Sequence, residues 1–255
     1  MLYEDFDKNT KLYQKYDNYT ADDFKIWKLL FERQINLLPN LASQAYLDGI
    51  KLLEFGADAI PNFAHINQIL GTTTGWQVIV VPGLIPQKTF FELLAEQKFP
   101  SSTWLRKIEE LDYLEEPDMF HDVFGHLPLL TNQYFCDFLR AYSLIALKYI
   151  DNPLAVKLLG RLYWFTVEFG LIEKEEGLKI YGAGILSSSG ESVFCLGDEP
   201  ARYAFDVEKI MLTDYYIDHF QDKYFVIQSY KQLFDALPEV ERVLEKYALE
   251  TVVAI

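Results

Sequence analysis

A mainly helical fold, α+β only through minor short strands, is predicted by three features of this 255-residue sequence. Phe135, Phe138, Tyr142, Ile145 and Tyr149 recur on one helical face for about four turns. Helix-start signals precede several such apolar stretches. The β-branched run Val78-Ile79-Val80-Val81 reads as a short strand.

The elements follow in order. Thr20 with Asp23 three residues later resembles a capping box, and Phe24, Trp27 and Phe31 then share a face. A second helix is predicted after Asn40, with Tyr46, Ile50 and Leu53 as its stripe and Gly56 as its left-handed terminator. Gly71 to Gly75 reads as a turn into the Val78–Val81 strand, which Pro82-Gly83 ends. Phe90 to Glu96 is a short helix, Pro100-Ser101-Ser102 a loop, and a further helix is expected to carry Trp104, Arg106 and Leu111. Pro117-Asp118 opens another. Asn132 caps the long helix, and Asn152-Pro153, a cap followed by proline at the first helical position, starts the next, which runs to Phe169 before Gly170. Beyond Glu176 the periodicity fades. Tyr181 to Glu191 is rich in Gly and Ser, the composition of a surface loop or of a segment lining a site. Val193 to Leu196 reads as a strand and Leu233 to Ala248 as helix. No repeat, low-complexity tract or linker divides residues 1–255, so one domain is expected.

Composition narrows the function. Half the residues are hydrophobic and 16% aromatic, enough apolar surface to offset the entropy of ordering the chain. With 23 basic against 38 acidic residues the net charge is −15, a field that repels nucleic acid and anionic lipid. Met1 to Thr20 is charged and Tyr-rich, and no apolar run approaches the roughly 18 residues of a membrane span, so neither leader nor anchor is expected. Cys136 and Cys195 lie in apolar neighbourhoods, usage that suits a reducing compartment, and the cytoplasm is the simplest location.

The candidate chemistry begins with His121 and His126, five apart in Glu-Glu-Pro-Asp-Met-Phe-His-Asp-Val-Phe-Gly-His-Leu-Pro. In a regular α-helix that interval leaves the rings roughly 140° apart, too far round to grip one ion. A helix ending at Gly125, with Pro128 just beyond, would let His126 swing back beside His121. Glu168 supplies a possible third donor. It lies among aromatic residues in Tyr-Trp-Phe-Thr-Val-Glu-Phe-Gly-Leu, where an unpaired carboxylate costs at least several kcal/mol. A salt bridge to Arg161 or a cation shared with the two histidines would each satisfy it. The second option is a 2-His-1-carboxylate set, which leaves coordination positions open and is associated with non-haem ferrous oxygenases. Zinc hydrolases more often use His-Glu-x-x-His, which is missing here, and two cysteines 59 residues apart make no structural zinc site.

Three segments together resemble the tetrahydrobiopterin-dependent aromatic amino acid hydroxylases, above all the short bacterial members that act on phenylalanine. They are Trp104-Leu105-Arg106 through Leu111-Asp112-Tyr113-Leu114 to Glu116–His126, Tyr163–Leu171, and Tyr181–Ser188, with weaker similarity from about Asp23 to Leu233. The resemblance implies a basket of helices and loops and a catalytic centre of Fe(II) on His121, His126 and Glu168. It implies that Arg106 pairs with the substrate carboxylate, and that Asp118, Trp164, Phe169, Gly184 and Ser187 complete the amino acid pocket, Ser187 also bonding an iron-ligating imidazole. Tetrahydrobiopterin or a related tetrahydropterin would stack on Phe90, meet the backbone of Gly83, Leu84 and Ile85, and lie near Tyr163. Asp122 stands where animal members carry Glu, which implies a longer or water-mediated pterin contact. The expected reaction splits O2 and converts L-phenylalanine to L-tyrosine.

The resemblance further implies one catalytic domain over residues 1–255, without the N-terminal regulatory domain or long C-terminal coiled coil of animal members, and a monomer or dimer. Ile217 falls where tyrosine-hydroxylating members carry an acid, which favours phenylalanine. The alternatives are a tryptophan or tyrosine hydroxylase of the same family, a zinc hydrolase, and a non-catalytic helical protein stabilised by metal.

Overall fold

The computed structural model describes residues 2–112, 114 and 116–249. Local signals set the helices that frame the site. Thr20 closes a capping box with Asp23 at the head of Ala21–Ile35, whose Trp27, Leu30 and Phe31 are buried. The Asn132 side chain accepts from the Phe135 amide to start Gln133–Lys148. Asn152 accepts from the Leu154 and Ala155 amides ahead of Pro153–Tyr163. Caps of this kind each contribute about 1 kcal/mol. Gln133–Lys148 buries Phe135, Phe138, Leu139 and Tyr142 and packs against both Gln87–Ala95 and Tyr230–Asp235.

Two small sheets brace this helical framework. β1 (Gln77–Val80) pairs in parallel with β2 (Lys98–Ser101), with the helix Gln87–Ala95 as the crossover between them. The second sheet has four strands, in the spatial order Gly177–Ile180, Leu171–Lys174, Lys223–Ile227 and Ala201–Ala204. In it β3 (Leu171–Lys174) and β4 (Gly177–Ile180) form an antiparallel hairpin. β6 (Lys223–Ile227) lies parallel to both β3 and β5 (Ala201–Ala204).

The structure departs from the sequence reading at several places, each with a local cause. The stretch holding Trp104 and Arg106 is irregular, with a single short turn at Ile108–Glu110. Its backbone is tied elsewhere: the Met119 amide donates to the Trp104 carbonyl at 2.9 Å and the Arg106 amide to Asp118 at 2.9 Å. Lys98–Ser101 is a strand despite Pro100, because it joins β1 at the edge of a two-stranded pair. Gly71 lies inside the helix Phe63–Thr73, and the Thr72 and Thr73 hydroxyls bond back to carbonyls one turn earlier. The left-handed residue after Gln44–Leu52 is Glu54, at φ +56°, and not Gly56. Val193 and Phe194 belong to the helix Ser189–Phe194, which Ser188 caps through the Glu191 amide.

Both cysteines are buried free thiols, and burial pushes Cys136 up to about 12. No helix among the described residues is long and apolar enough to cross a membrane.

Candidate metal centre and active site

Two wide turns of main chain gather the candidate ligands. Phe120–His126 is a π-helix, whose i→i+5 hydrogen bonding widens the coil and brings residues five apart onto the same side of it. The coil therefore does not stop at Gly125: it widens and continues through His126 before the tight turn Leu127–Thr131. This corrects the expectation of a chain break and explains the five-residue spacing. Phe120 and Phe124 stack at 4.7 Å on the buried side, and the Tyr46 hydroxyl donates to the Phe124 carbonyl at 2.8 Å. A Cβ on Gly125 would stand 2.9 Å from the Ala183 carbonyl oxygen, so only glycine lets the short helix Ala183–Leu186 pack directly onto the coil.

Glu168 ends a second π-turn, Trp164–Glu168, closed by the Phe169 amide on the Trp164 carbonyl at 2.8 Å. Its Oε1 lies 3.2 Å from His126 Nε2 and its Oε2 3.5 Å from His121 Nε2. The two imidazole Nε2 atoms are 3.2 Å apart. Adjacent donors on an octahedral first-row ion, each roughly 2.1 Å from it, stand roughly 3 Å from one another, so the three atoms fit one face of a single ion. Arg161, the alternative partner for Glu168, is engaged elsewhere, by Asp214 and by the Met211 carbonyl at 3.0 Å.

The electrostatics suit a cation. Burial, opposed by the Glu168 charge, holds His121 down at about 4, so at neutral pH it offers a neutral imidazole. Burial raises Glu168, but attraction and hydrogen bonding from His126, with His121 and the Gly184 amide, outweigh it and leave the carboxyl below its ordinary value. A lone pair and a carboxylate then converge on one point, the protonation states metal binding requires.

Around this centre the other predicted residues fall into two groups. Arg106 is buried and holds Asp118 in a fork, Nε to Oδ2 at 2.9 Å and one terminal nitrogen to Oδ1 at 2.8 Å. Asp118 also accepts the backbone amides of Arg106 and His121. Its lone pairs are therefore occupied, and its effect on a ligand runs through the orientation of Arg106. Trp164 and Phe169 stack at 4.7 Å, and Phe169 closes over Gly184, where a Cβ would meet the ring at 2.9 Å. Ser187 Oγ lies 3.0 Å from His121 Nδ1. The Gly- and Ser-rich segment thus lines the site as two short helices.

On the other side, Phe90 meets Tyr163 edge to face at 5.7 Å. The Asp122 carboxylate accepts the Ser102 amide at 2.8 Å, and burial, partly offset by that bond, pushes Asp122 up to about 7. The loop of Gly83, Leu84 and Ile85 precedes the Phe90 helix, and the Leu84 carbonyl accepts the Tyr3 amide at 2.8 Å. The sequence reading overlooked Ser102 and also Tyr215, which stacks on Trp164 at 4.3 Å. The run Asp214-Tyr215-Tyr216-Ile217, three bulky side chains in a segment without periodicity, was the available signal.

A helical chain in which the widened turns Phe120–His126 and Trp164–Glu168 bring together a 2-His-1-carboxylate donor set is of the mononuclear non-haem metal enzyme class. The profile of the biopterin-dependent aromatic amino acid hydroxylases matches residues 5–250, and the chain belongs to that family. It is 51% identical over 224 residues to a phenylalanine-4-hydroxylase of Chromobacterium violaceum, covering 88% of this chain and 75% of that one. The crystal structure of the C. violaceum phenylalanine hydroxylase with bound iron(III) and oxidised cofactor 7,8-dihydrobiopterin superposes with a TM-score of 0.88 at 49% identity, covering 93% of this chain and 87% of the other. A second C. violaceum structure, with iron and phenylalanine bound, gives a TM-score of 0.86 at 47% identity, covering 93% and 88%.

Proposed function

We propose that this chain is a phenylalanine 4-monooxygenase, converting L-phenylalanine to L-tyrosine with O2 and a tetrahydropterin. His121, His126 and Glu168 would hold Fe(II). The carrying observation is the convergence of their donor atoms, all within 4.8 Å of one another, in a chain of this family. Iron and the reduced pterin, when bound, supply the oxygen-activating chemistry; the protein binds, orients and excludes water.

Those protein tasks can be assigned to atoms. Arg106, fixed by Asp118 through Nε and one terminal nitrogen, keeps its remaining guanidinium nitrogen for the substrate carboxylate. Trp164, Phe169 and Gly184 form the apolar wall for the aromatic ring, and Ser187 holds His121. Phe90 offers a face for the pterin ring, with Gly83, Leu84 and Ile85 providing backbone contacts and Tyr163 and Asp122 beside it. Because the Asp122 carboxylate already accepts the Ser102 amide, its pterin contact runs through its second oxygen or a water.

The enzyme works in the cytoplasm as a monomer or dimer, and its acidic surface has no part in binding nucleic acid or membranes. The test is direct. Iron-loaded protein given a reduced pterin should consume O2 in step with tyrosine formation, and faster turnover of tryptophan or tyrosine would overturn the substrate assignment.

A further inference from the structure

Trp164 stacks on two rings, Phe169 at 4.7 Å and 30° and Tyr215 at 4.3 Å and 17°. Its buried Nε1 finds no acceptor among the described residues. No hydrogen bond therefore fixes the tilt of the indole, and ring stacking must do so.

Tyr215 comes from an irregular segment that is staked at both ends. At the start, the buried Arg161 guanidinium pairs with Asp214 and donates to the Met211 carbonyl. At the end, the Gln221 amide donates to the buried Glu191 at 3.1 Å, which also accepts the Tyr224 hydroxyl at 2.7 Å. The Gln221 side chain in turn clasps both the amide and the carbonyl of Tyr216. Phe220 closes over Gly190, where a Cβ would come within 2.6 Å of its ring. A segment lacking regular structure is thus anchored to the helix that leads into Glu168 and to the helix that follows Ser187.

We propose that Tyr215 is a positioning residue that sets ring selectivity: stacked on Trp164 and held by the Arg161–Asp214 pair, it fixes the indole as a pocket wall and limits the size of ring admitted. This rests on the reading that Trp164 and Phe169 line the amino acid pocket. Tyr215 is 37% exposed, so its loss reaches the wall without emptying the core. Its work is done by the ring face.

The experiment measures kcat/KM for L-phenylalanine and L-tryptophan, and KM for the tetrahydropterin, in the wild type, Tyr215→Ala, Tyr215→Phe and Asp214→Asn. Loss of one aromatic stack corresponds to about a 2- to 12-fold change. Tyr215→Ala should raise KM for phenylalanine within that range, shift the preference toward tryptophan, and leave KM for the pterin within about 2-fold. Tyr215→Phe should restore both the KM and the preference, and Asp214→Asn should give a smaller shift in the same direction. An unchanged preference in Tyr215→Ala, a parallel rise in both KM values, or failure of Tyr215→Phe to restore them overturns the proposal. Should Tyr215→Ala fail to fold, Asp214→Asn decides by the same criteria. A wild type that hydroxylates phenylalanine while Tyr215→Ala behaves identically sinks this proposal alone; a wild type inactive on every aromatic amino acid sinks the functional reading with it.

Discussion

Ser187 Oγ lies 3.0 Å from His121 Nδ1 while donating its own proton to the Ala183 carbonyl at 2.8 Å. With that proton committed, the hydroxyl receives one from Nδ1, and the His121 lone pair is left on Nε2, facing Glu168 and His126. A hydroxyl on a short helix thereby selects the tautomer that can ligate. Ser187→Ala should lower the affinity for Fe(II) by about 10- to 100-fold, the usual cost of losing a partner behind a ligand. Metal titration of the apoprotein checks this, and an unchanged affinity would show that the tautomer is set elsewhere.

Glu168→Gln tests the centre itself. The amide keeps the shape and loses the charge, so metal affinity should fall by more than about 100-fold, beyond the cost of an outer partner. In the wild type, Fe(II) or Co(II) at about 100 times its dissociation constant should add about 2.7 kcal/mol of stability, visible as a rise in Tm. Glu168→Gln should show no such rise. Equal metal content in the two proteins, measured by elemental analysis, would remove Glu168 from the ligand set.

Arg106 and Asp118 form a buried fork, with side chains 8% and 0% exposed. Arg106→Lys keeps the charge and loses the geometry, so KM for phenylalanine should rise about 10-fold or more, with KM for the pterin nearly unchanged. Arg106→Ala also strands a buried carboxylate and should destabilise the fold by about 3–5 kcal/mol. Steady-state kinetics and denaturant melts separate the two effects, and a Lys variant with wild-type KM would free Arg106 from the substrate.

Glu191 gives a pH dependence away from the metal centre. Burial raises its carboxyl above the ordinary 4.5, although the Tyr224 hydroxyl and Gln221 amide pull it down. A folded value above the unfolded one means the fold favours the proton. The contribution is therefore complete below about pH 4.5 and is lost as pH rises through the folded value. Glu191→Gln, which retains an acceptor oxygen, should gain stability relative to the wild type as pH climbs from 4.5 toward neutrality. Thermal melts across that interval check the sign; a constant difference would mean that Glu191 does not titrate in this window.

Much of the fold was legible because its determinants are local. Asn132, Asn152-Pro153 and the Thr20–Asp23 box cap real helices at the expected places, and His121, His126 and Glu168 were recognisable from residue type and surroundings. What escaped depends on distant partners. The Lys98–Ser101 strand exists through β1, and the four-stranded sheet joins β3 to β6 across about 50 residues. Trp104 to Arg106 bond to Asp118 and Met119 instead of coiling. Tyr215 matters through a ring it meets only in the folded chain.

The wide coil from Phe120 to His126 also governs how this protein can diverge. At ordinary helical pitch a five-residue interval would scatter the imidazoles even with both histidines retained. Exchanges at Val123 or Phe124 ask only for a new packing solution, whereas gaining or losing a single codon between the histidines resets the geometry of the whole centre. Lineages of this enzyme are free to drift in spelling along this stretch but not in its count.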